Sequence, residues 1–125
     1  MTKVGATGYN ILVVDDESSV CKAIKMLLEF DGHTVQTAGG GEQALEIFAK
    51  NKFDIVITDY SMNGMKGDHM AACIKQTHPQ QPIILATAFA ESFRSSGKPT
   101  VAVDAVINKP FSLTELRDVI LQVVK

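Results

Sequence analysis

Short apolar runs rich in β-branched residues alternate with longer segments of helical period from residue 11 onward, and four of the runs stop on a charged or hydroxylated residue. Ile11–Val14 ends at Asp15-Asp16-Glu17. From Ser18 the period changes: Val20, Ile24, Leu27 and Leu28 fall on one face of a helix, which Asp31-Gly32-His33 closes. Thr34–Ala38 reads as a second strand, Gly39-Gly40-Gly41 as its turn, and Ala44, Leu45, Ile47 and Phe48 as the stripe of a second helix. Phe53–Thr58 is the third strand. Its Ile-Val-Ile stretch does not alternate, as expected of a central strand covered on both faces. Asp59 follows, then a loop from Ser61 to Gly67 and a weaker helix over Asp68–Thr77. Pro82–Thr87 and Ala105–Asn108 are strands four and five. Lys109-Pro110-Phe111 leads into Ser112-Leu113-Thr114-Glu115, a capping box that opens the last helix.

Five such units predict an α/β fold, a parallel sheet with helices on both faces joined by right-handed crossovers. Only Phe89–Val103 breaks the rhythm. Ser95-Ser96-Gly97-Lys98-Pro99 interrupts any helical stripe there, so the fourth helix is expected to be short or irregular. The 125 residues suit one domain, with residues 1–9 as a short N-terminal tail and residues 10–125 as the folded unit.

A formal net charge of −2 removes the electrostatic reason to expect nucleic-acid binding. No apolar run is long enough to span a bilayer, and Met1–Asn10 has no apolar core of a secretory signal. Cys21 and Cys73 are too few for a disulfide scaffold and lack zinc-ligand spacing; they read as free, buried thiols of a reducing cytoplasm.

Ligands of open parallel sheets bind outside the carboxyl ends of the strands. Those ends carry the distinctive chemistry here: Asp15 and Asp16 after strand one, Asp59 after strand three, Thr87 on strand four and Lys109 after strand five. Each has an ordinary explanation alone, since Asp caps helices and turns, Thr suits strands and most lysines are solvated. Together they are much harder to dismiss. Three carboxylates on one edge repel one another unless a cation joins them, and hard oxygen ligands suit Mg²⁺. The three carboxylates, one divalent ion and one lysine cancel, leaving a neutral pocket in which Thr87 and Lys109 can bond phosphoryl oxygens.

These residues resemble the receiver (phosphoacceptor) domain of bacterial two-component response regulators. The likeness runs from Asn10 to Lys125 and rests on Ile11–Glu17, Gly32–Val35, Phe53–Gly67, Ile84–Ala88 and Lys109-Pro110-Phe111. It implies a flavodoxin-like, doubly wound five-stranded parallel sheet in the order 2-1-3-4-5. It implies further that Asp59 accepts a phosphoryl group from the phosphohistidine of a sensor histidine kinase or histidine phosphotransfer protein. Asp15, Asp16, Asp59 and the backbone carbonyl of Ser61 would hold Mg²⁺. Thr87 and Lys109 would bond the phosphoryl group, and Pro110 would follow a cis peptide. Such a domain is a signalling switch rather than an enzyme, although it assists its own phosphotransfer and slow autodephosphorylation.

The resemblance places the output on the surface of the fourth helix, fifth strand and last helix, acting on an unidentified downstream effector in the cytoplasm, with room for a phosphorylation-linked homodimer. His33, His69 and His78 are read as loop or surface residues, because phosphoryl transfer needs positioning and charge more than acid–base groups. Val106 stands where the family usually has a switch aromatic, Asn63 where it has a proline, and Lys66 where an acidic residue or Asn is common. Ser61 and Phe89 flank the path of a hydrolytic water, which predicts slow loss of phosphate. Two alternatives remain: a Mg²⁺-dependent phosphatase or phosphotransferase with an aspartyl nucleophile, against which Asp59-Tyr60-Ser61 lacks the second Asp, and a receiver-like binding module that is never phosphorylated.

Overall fold

Strand residues that are apolar at consecutive positions must be covered from both sides, and this requirement organises the whole molecule. The structure, a computed structural model, describes residues 8–89 and 103–124. In chain order the elements are β1 (Asn10–Val14), α1 (Ser18–Phe30), β2 (Thr34–Ala38), α2 (Gly41–Lys50), β3 (Ile55–Asp59), α3 (Gly67–Thr77), β4 (Ile83–Thr87), β5 (Ala105–Asn108) and α4 (Leu113–Val123). The strands form one parallel sheet in the order β2-β1-β3-β4-β5. That is the expected 2-1-3-4-5 arrangement. The expected short fourth helix falls within residues 90–102, outside the described residues, so α4 is the last helix of the chain.

Alternate strand residues feed two separate cores. Ile11, Val13, Ile55, Ile57, Ile84, Ala86 and Ile107 pack against Cys21, Ile24 and Leu28 of α1 and Leu116, Val119 and Ile120 of α4. Leu12, Val14, Val56 and Ile83 face the other way, toward Ala44 and Phe48 of α2 and Met70, Ala71 and Ile74 of α3. Burial at about 25 cal/mol per Å² of apolar surface makes these two layers the main source of stability. Among the described residues, no helix is long and apolar enough to cross a membrane.

Element ends differ from the sequence reading by one or two residues, for local reasons. Phe53 and Asp54 lie before β3, because Asp54 exchanges bonds with Asn10 instead of joining a ladder: its carboxylate accepts from the Asn10 N–H and its own N–H donates to the Asn10 carbonyl, both at 2.7 Å. Asn10 joins β1 because it pairs in register with Thr34 of β2. Asp59 closes β3 and does not merely follow it, since it pairs in register with Ala86. Pro82 lies outside β4, lacking a donor, although its carbonyl accepts from Val56 at 3.0 Å. The α3 helix begins at Gly67 rather than Asp68. Cys21 is buried as expected, but Cys73 is only half-buried.

At the opposite end of α1 the chain reverses through Gly32, whose φ of 91° suits glycine. The Gly32 N–H donates to the Glu29 carbonyl and the His33 N–H to that of Leu28, the paired bonds of a Schellman stop. Arg117 of α4 grips Asp31 beside it through two 2.7 Å bonds. The capping box is present as read: Ser112 Oγ accepts from the Glu115 N–H and the Glu115 carboxylate from the Ser112 N–H. His69 is exposed, and His78 caps α3 with its ring edge-on to Phe48.

His33 is half-buried, stacks on Tyr9 and accepts the Tyr9 backbone N–H on Nδ1 at 3.0 Å. Burial pushes its imidazole below the ordinary value of 6.5, with Asp31 pulling the other way. Protonation would also place a hydrogen on the nitrogen that accepts from Tyr9. The unfolded chain therefore takes up this proton first, so this contribution is full above about pH 6.5 and declines below it. Urea unfolding between pH 7.5 and 5 should give a stability that falls with pH, and His33→Gln should flatten the fall; identical slopes would count against this role.

Candidate phosphoryl-accepting acidic pocket

The carboxyl ends of β1, β3, β4 and β5 converge because the parallel ladders continue one residue past the strands. The Asp15 N–H donates to the Ala38 carbonyl, Tyr60 to Ala86 and Lys109 to Thr87. These bonds set the polar side chains side by side at one edge. The Lys109–Pro110 peptide is cis, as the resemblance implies.

Lys109 is the centre of the cluster. Its Nζ donates to Asp15 Oδ2 at 2.9 Å and to Asp59 Oδ1 at 3.0 Å. Asp15 is almost wholly buried, at 2% exposure, whereas Asp59 is half-buried and Asp16 exposed. One carboxylate oxygen from each of Asp15, Asp16 and Asp59 lies within 4.8 Å of the other two. Burial pushes the Asp59 carboxyl above its ordinary value, against the hydrogen bond and charge of Lys109, which pull it down. Burial also pulls on the Lys109 ammonium, but its bonds to Asp15 and Asp59 outweigh that and hold its pKa above the usual lysine range. One ammonium thus serves two acids, and a third stands beside them without it.

Neither Asp15 nor Asp16 caps α1. Glu17 occupies the cap without a side-chain bond. Asp15 Oδ1 accepts from the Glu17 N–H at 2.9 Å, and Asp16 Oδ2 accepts from the Asn63 N–H at 2.9 Å. The second bond ties the loop after β1 to the loop after β3. Thr87 is buried, and its Oγ1 accepts from the Phe89 N–H at 3.1 Å. Phe89 itself is 68% exposed. Ser61 is exposed in the loop that follows Asp59.

The residues expected from the strand ends are therefore brought to one edge, and Asp15, Asp59 and Lys109 touch. Three contributors were given no role in the sequence reading. Cys21 donates its thiol to the Asp15 carbonyl at 3.3 Å. The Asn63 backbone holds Asp16, and Gly67 packs against the backbone of Asp59 and Tyr60. Asp–Gly spacing could have suggested the last; the other two depend on contacts across the fold.

Three oxygen ligands at this spacing fit a small hard cation such as Mg²⁺, which takes one or two carboxylates and keeps room for water and phosphate. Among the described residues, no imidazole or thiolate joins them in the cluster, so softer metals have less claim.

Residues 11–121 match the family model described as the response regulator receiver domain. The response regulator MprA of Mycobacterium sp. (strain KMS) is 32% identical over 106 residues, which is 85% of this chain and 46% of that protein. The chain spans about half the length of the curated relatives it matches. A response regulator receiver domain protein from Clostridium thermocellum superposes with a TM-score of 0.84 at 32% identity, covering 92% of this chain and 93% of that one. The response regulator TrrA of Thermotoga maritima, solved in complex with Mg²⁺-BeF, gives 0.83 at 33% identity over 91% and 97% of the two chains.

Crowded carboxylates with one lysine repel one another when no divalent ion is bound. Asp16→Asn keeps an acceptor for the Asn63 N–H while removing one charge. It should therefore stabilise metal-free protein by about 1 kcal/mol at the screened distances involved, which raises its thermal midpoint. Calorimetry in EDTA reads this directly, and a lowered midpoint would contradict the repulsion.

Proposed function

The chain belongs to the response regulator receiver domain family, and on that premise we propose that it is a phosphorylation-dependent switch whose acceptor is Asp59. The observation that carries this reading is the convergence of Asp15, Asp59 and Lys109 within hydrogen-bond distance, with Asp16 alongside. Residues 10–125 would be the working unit and residues 1–9 a tail.

Asp15, Asp16, Asp59 and the Ser61 carbonyl would hold Mg²⁺, whose role is to neutralise charge on the transferring group. The donor is a phosphohistidine on a sensor histidine kinase or histidine phosphotransfer protein. An oxygen of the Asp59 carboxylate attacks phosphorus, the phosphorus–nitrogen bond breaks, and the electron pair leaves with the imidazole of the donor. Lys109 holds the acceptor in place beforehand and faces the added charge afterwards. The Thr87 hydroxyl accepts from Phe89, which leaves its own proton for a phosphoryl oxygen. Phosphorylation exchanges a charge of about −1 for about −2 at the junction of β3, β4 and β5, and this is the signal sent to the surface of β5 and the last helix.

An apolar groove of about 490 Å³ opens beside Lys109, with Val20, Ile24 and Leu27 on one wall and Pro110 and Phe111 on the other. It supports docking of a donor protein over the pocket. The effector is a partner or further domain of unassigned identity; cytoplasmic location, absence of direct nucleic-acid binding and a phosphorylation-linked homodimer belong to the same proposal.

Incubation with Mg²⁺ and acetyl phosphate should add one phosphoryl group by intact mass, and Asp59→Asn should abolish it. Rapid turnover of small phosphate esters would favour an aspartyl phosphatase, and no labelling would favour a binding module. The exposed Phe89 cannot orient a water for attack on the aspartyl phosphate. Wild type should therefore lose phosphate more slowly than Phe89→Glu, by about tenfold if a positioned carboxylate assists the water, as followed by the decay of the phosphorylated mass.

A further inference from the structure

The residues before Asp59 in β3 are Ile55, Val56 and Ile57, all buried and apolar, yet the next is Thr58, also fully buried at 0% exposure. Valine has nearly the same shape and would fill this position without a hydroxyl to satisfy. A buried hydroxyl costs stability unless it is bonded. Thr58 Oγ1 donates to the backbone carbonyl of Asp59 at 2.9 Å. A second contact converges on that carbonyl. Gly67 opens α3 with its Cα packed so closely that a Cβ there would overlap the Asp59 carbonyl oxygen and lie 3.1 Å from Tyr60 Cα. The Gly67 N–H donates to the Tyr60 carbonyl at 3.0 Å, and the Tyr60 N–H donates to the Ala86 carbonyl at 3.2 Å.

We propose that Thr58 and Gly67 are positioning residues that together fix the Asp59–Tyr60 peptide, so that the acceptor carboxylate is held against Lys109 and the metal-binding edge before any phosphodonor arrives. The inference rests on Asp59 being the acceptor. Its logic is preorganisation: a reacting oxygen a fraction of an ångström out of line loses rate, whereas the clamp fixes the backbone from which that oxygen hangs. The hydroxyl bonds the carbonyl on the side of β3 that faces α2 and α3, and the glycine seats α3 directly on the same group. No other residue type at position 67 leaves that carbonyl where it is.

The test compares Thr58→Val, Thr58→Ser and Gly67→Ala with wild type. Phosphorylation rate constants are measured by intact mass at saturating Mg²⁺ and saturating acetyl phosphate, Mg²⁺ dissociation constants by calorimetry, and thermal midpoints in parallel. Thr58→Val should slow phosphorylation by about tenfold and weaken Mg²⁺ by a few-fold. Thr58→Ser, which keeps the hydroxyl, should stay within about twofold of wild type even if its midpoint falls through lost packing. Gly67→Ala should be slower still; if it does not fold, the two Thr58 variants decide the matter. A Thr58→Val protein with wild-type rate and wild-type Mg²⁺ affinity overturns the clamp, whatever its midpoint. If wild type takes no phosphoryl group while binding Mg²⁺, the acceptor reading falls by itself. The Mg²⁺ affinities then judge the clamp, and equal values for Thr58→Val and Thr58→Ser overturn it.

Discussion

One ammonium group, Lys109 Nζ, lies between two acids from strands far apart in sequence, 2.9 Å from Asp15 and 3.0 Å from Asp59. Much of the architecture can be understood as what is needed to put it there. β1 and β3 are neighbours, so their terminal acids fall side by side; β4 separates β3 from β5, so the lysine must reach across the end of β4. The bond from the Lys109 N–H to the Thr87 carbonyl fixes where that reach begins. Burying two carboxylates near each other is unfavourable without such a partner, and the partner is itself partly desolvated. The pocket is therefore stable only as a set.

A set of that kind adds little net stability. The two apolar layers contribute the stability: α1 and α4 on one face of the sheet, α2 and α3 on the other. With both faces closed, the polar groups are left at the carboxyl edge, where loops rather than helices meet solvent. The edge is braced from below as well. The Cys21 thiol bonds the Asp15 carbonyl, Thr58 bonds that of Asp59, and Asn63 links the loop after β3 to Asp16. The exposed member of the trio, Asp16, is held by the Asn63 backbone, and Asp15 takes the Glu17 N–H as well as the lysine. The buried members are held by lysine and by the strands themselves.

Much of this was legible in the residues. The apolar runs located β1, β3 and β4, because a strand covered on both faces cannot afford a polar residue in its middle, whereas the edge strand β2 carries Gln36 and Thr37 within it. The capping box at Ser112–Glu115 and the glycine stop after α1 were readable because both are local chemistry. Asp15, Asp16, Asp59, Thr87 and Lys109 stood out because each ended a strand. Less legible were the element ends. Asp54 looked like strand and is a bridge to Asn10, since a carboxylate can replace a ladder bond only when a distant backbone is near. The half-buried Cys73 looked like core by its residue type, and only its place on α3 decides otherwise.

The sequence by itself determined the number of strands, that the third was covered on both faces, and the inventory of charged groups at their ends. Those properties follow from local periodicity and from residue chemistry, which need no knowledge of distant partners. Only the tertiary structure decided that Lys109 joins Asp15 to Asp59, that Asp16 answers to Asn63, and that Gly67 must be bare because α3 sits on the Asp59 carbonyl. Those are relations between segments up to 94 residues apart in the chain. Their distances are fixed by packing rather than by any residue's own preference.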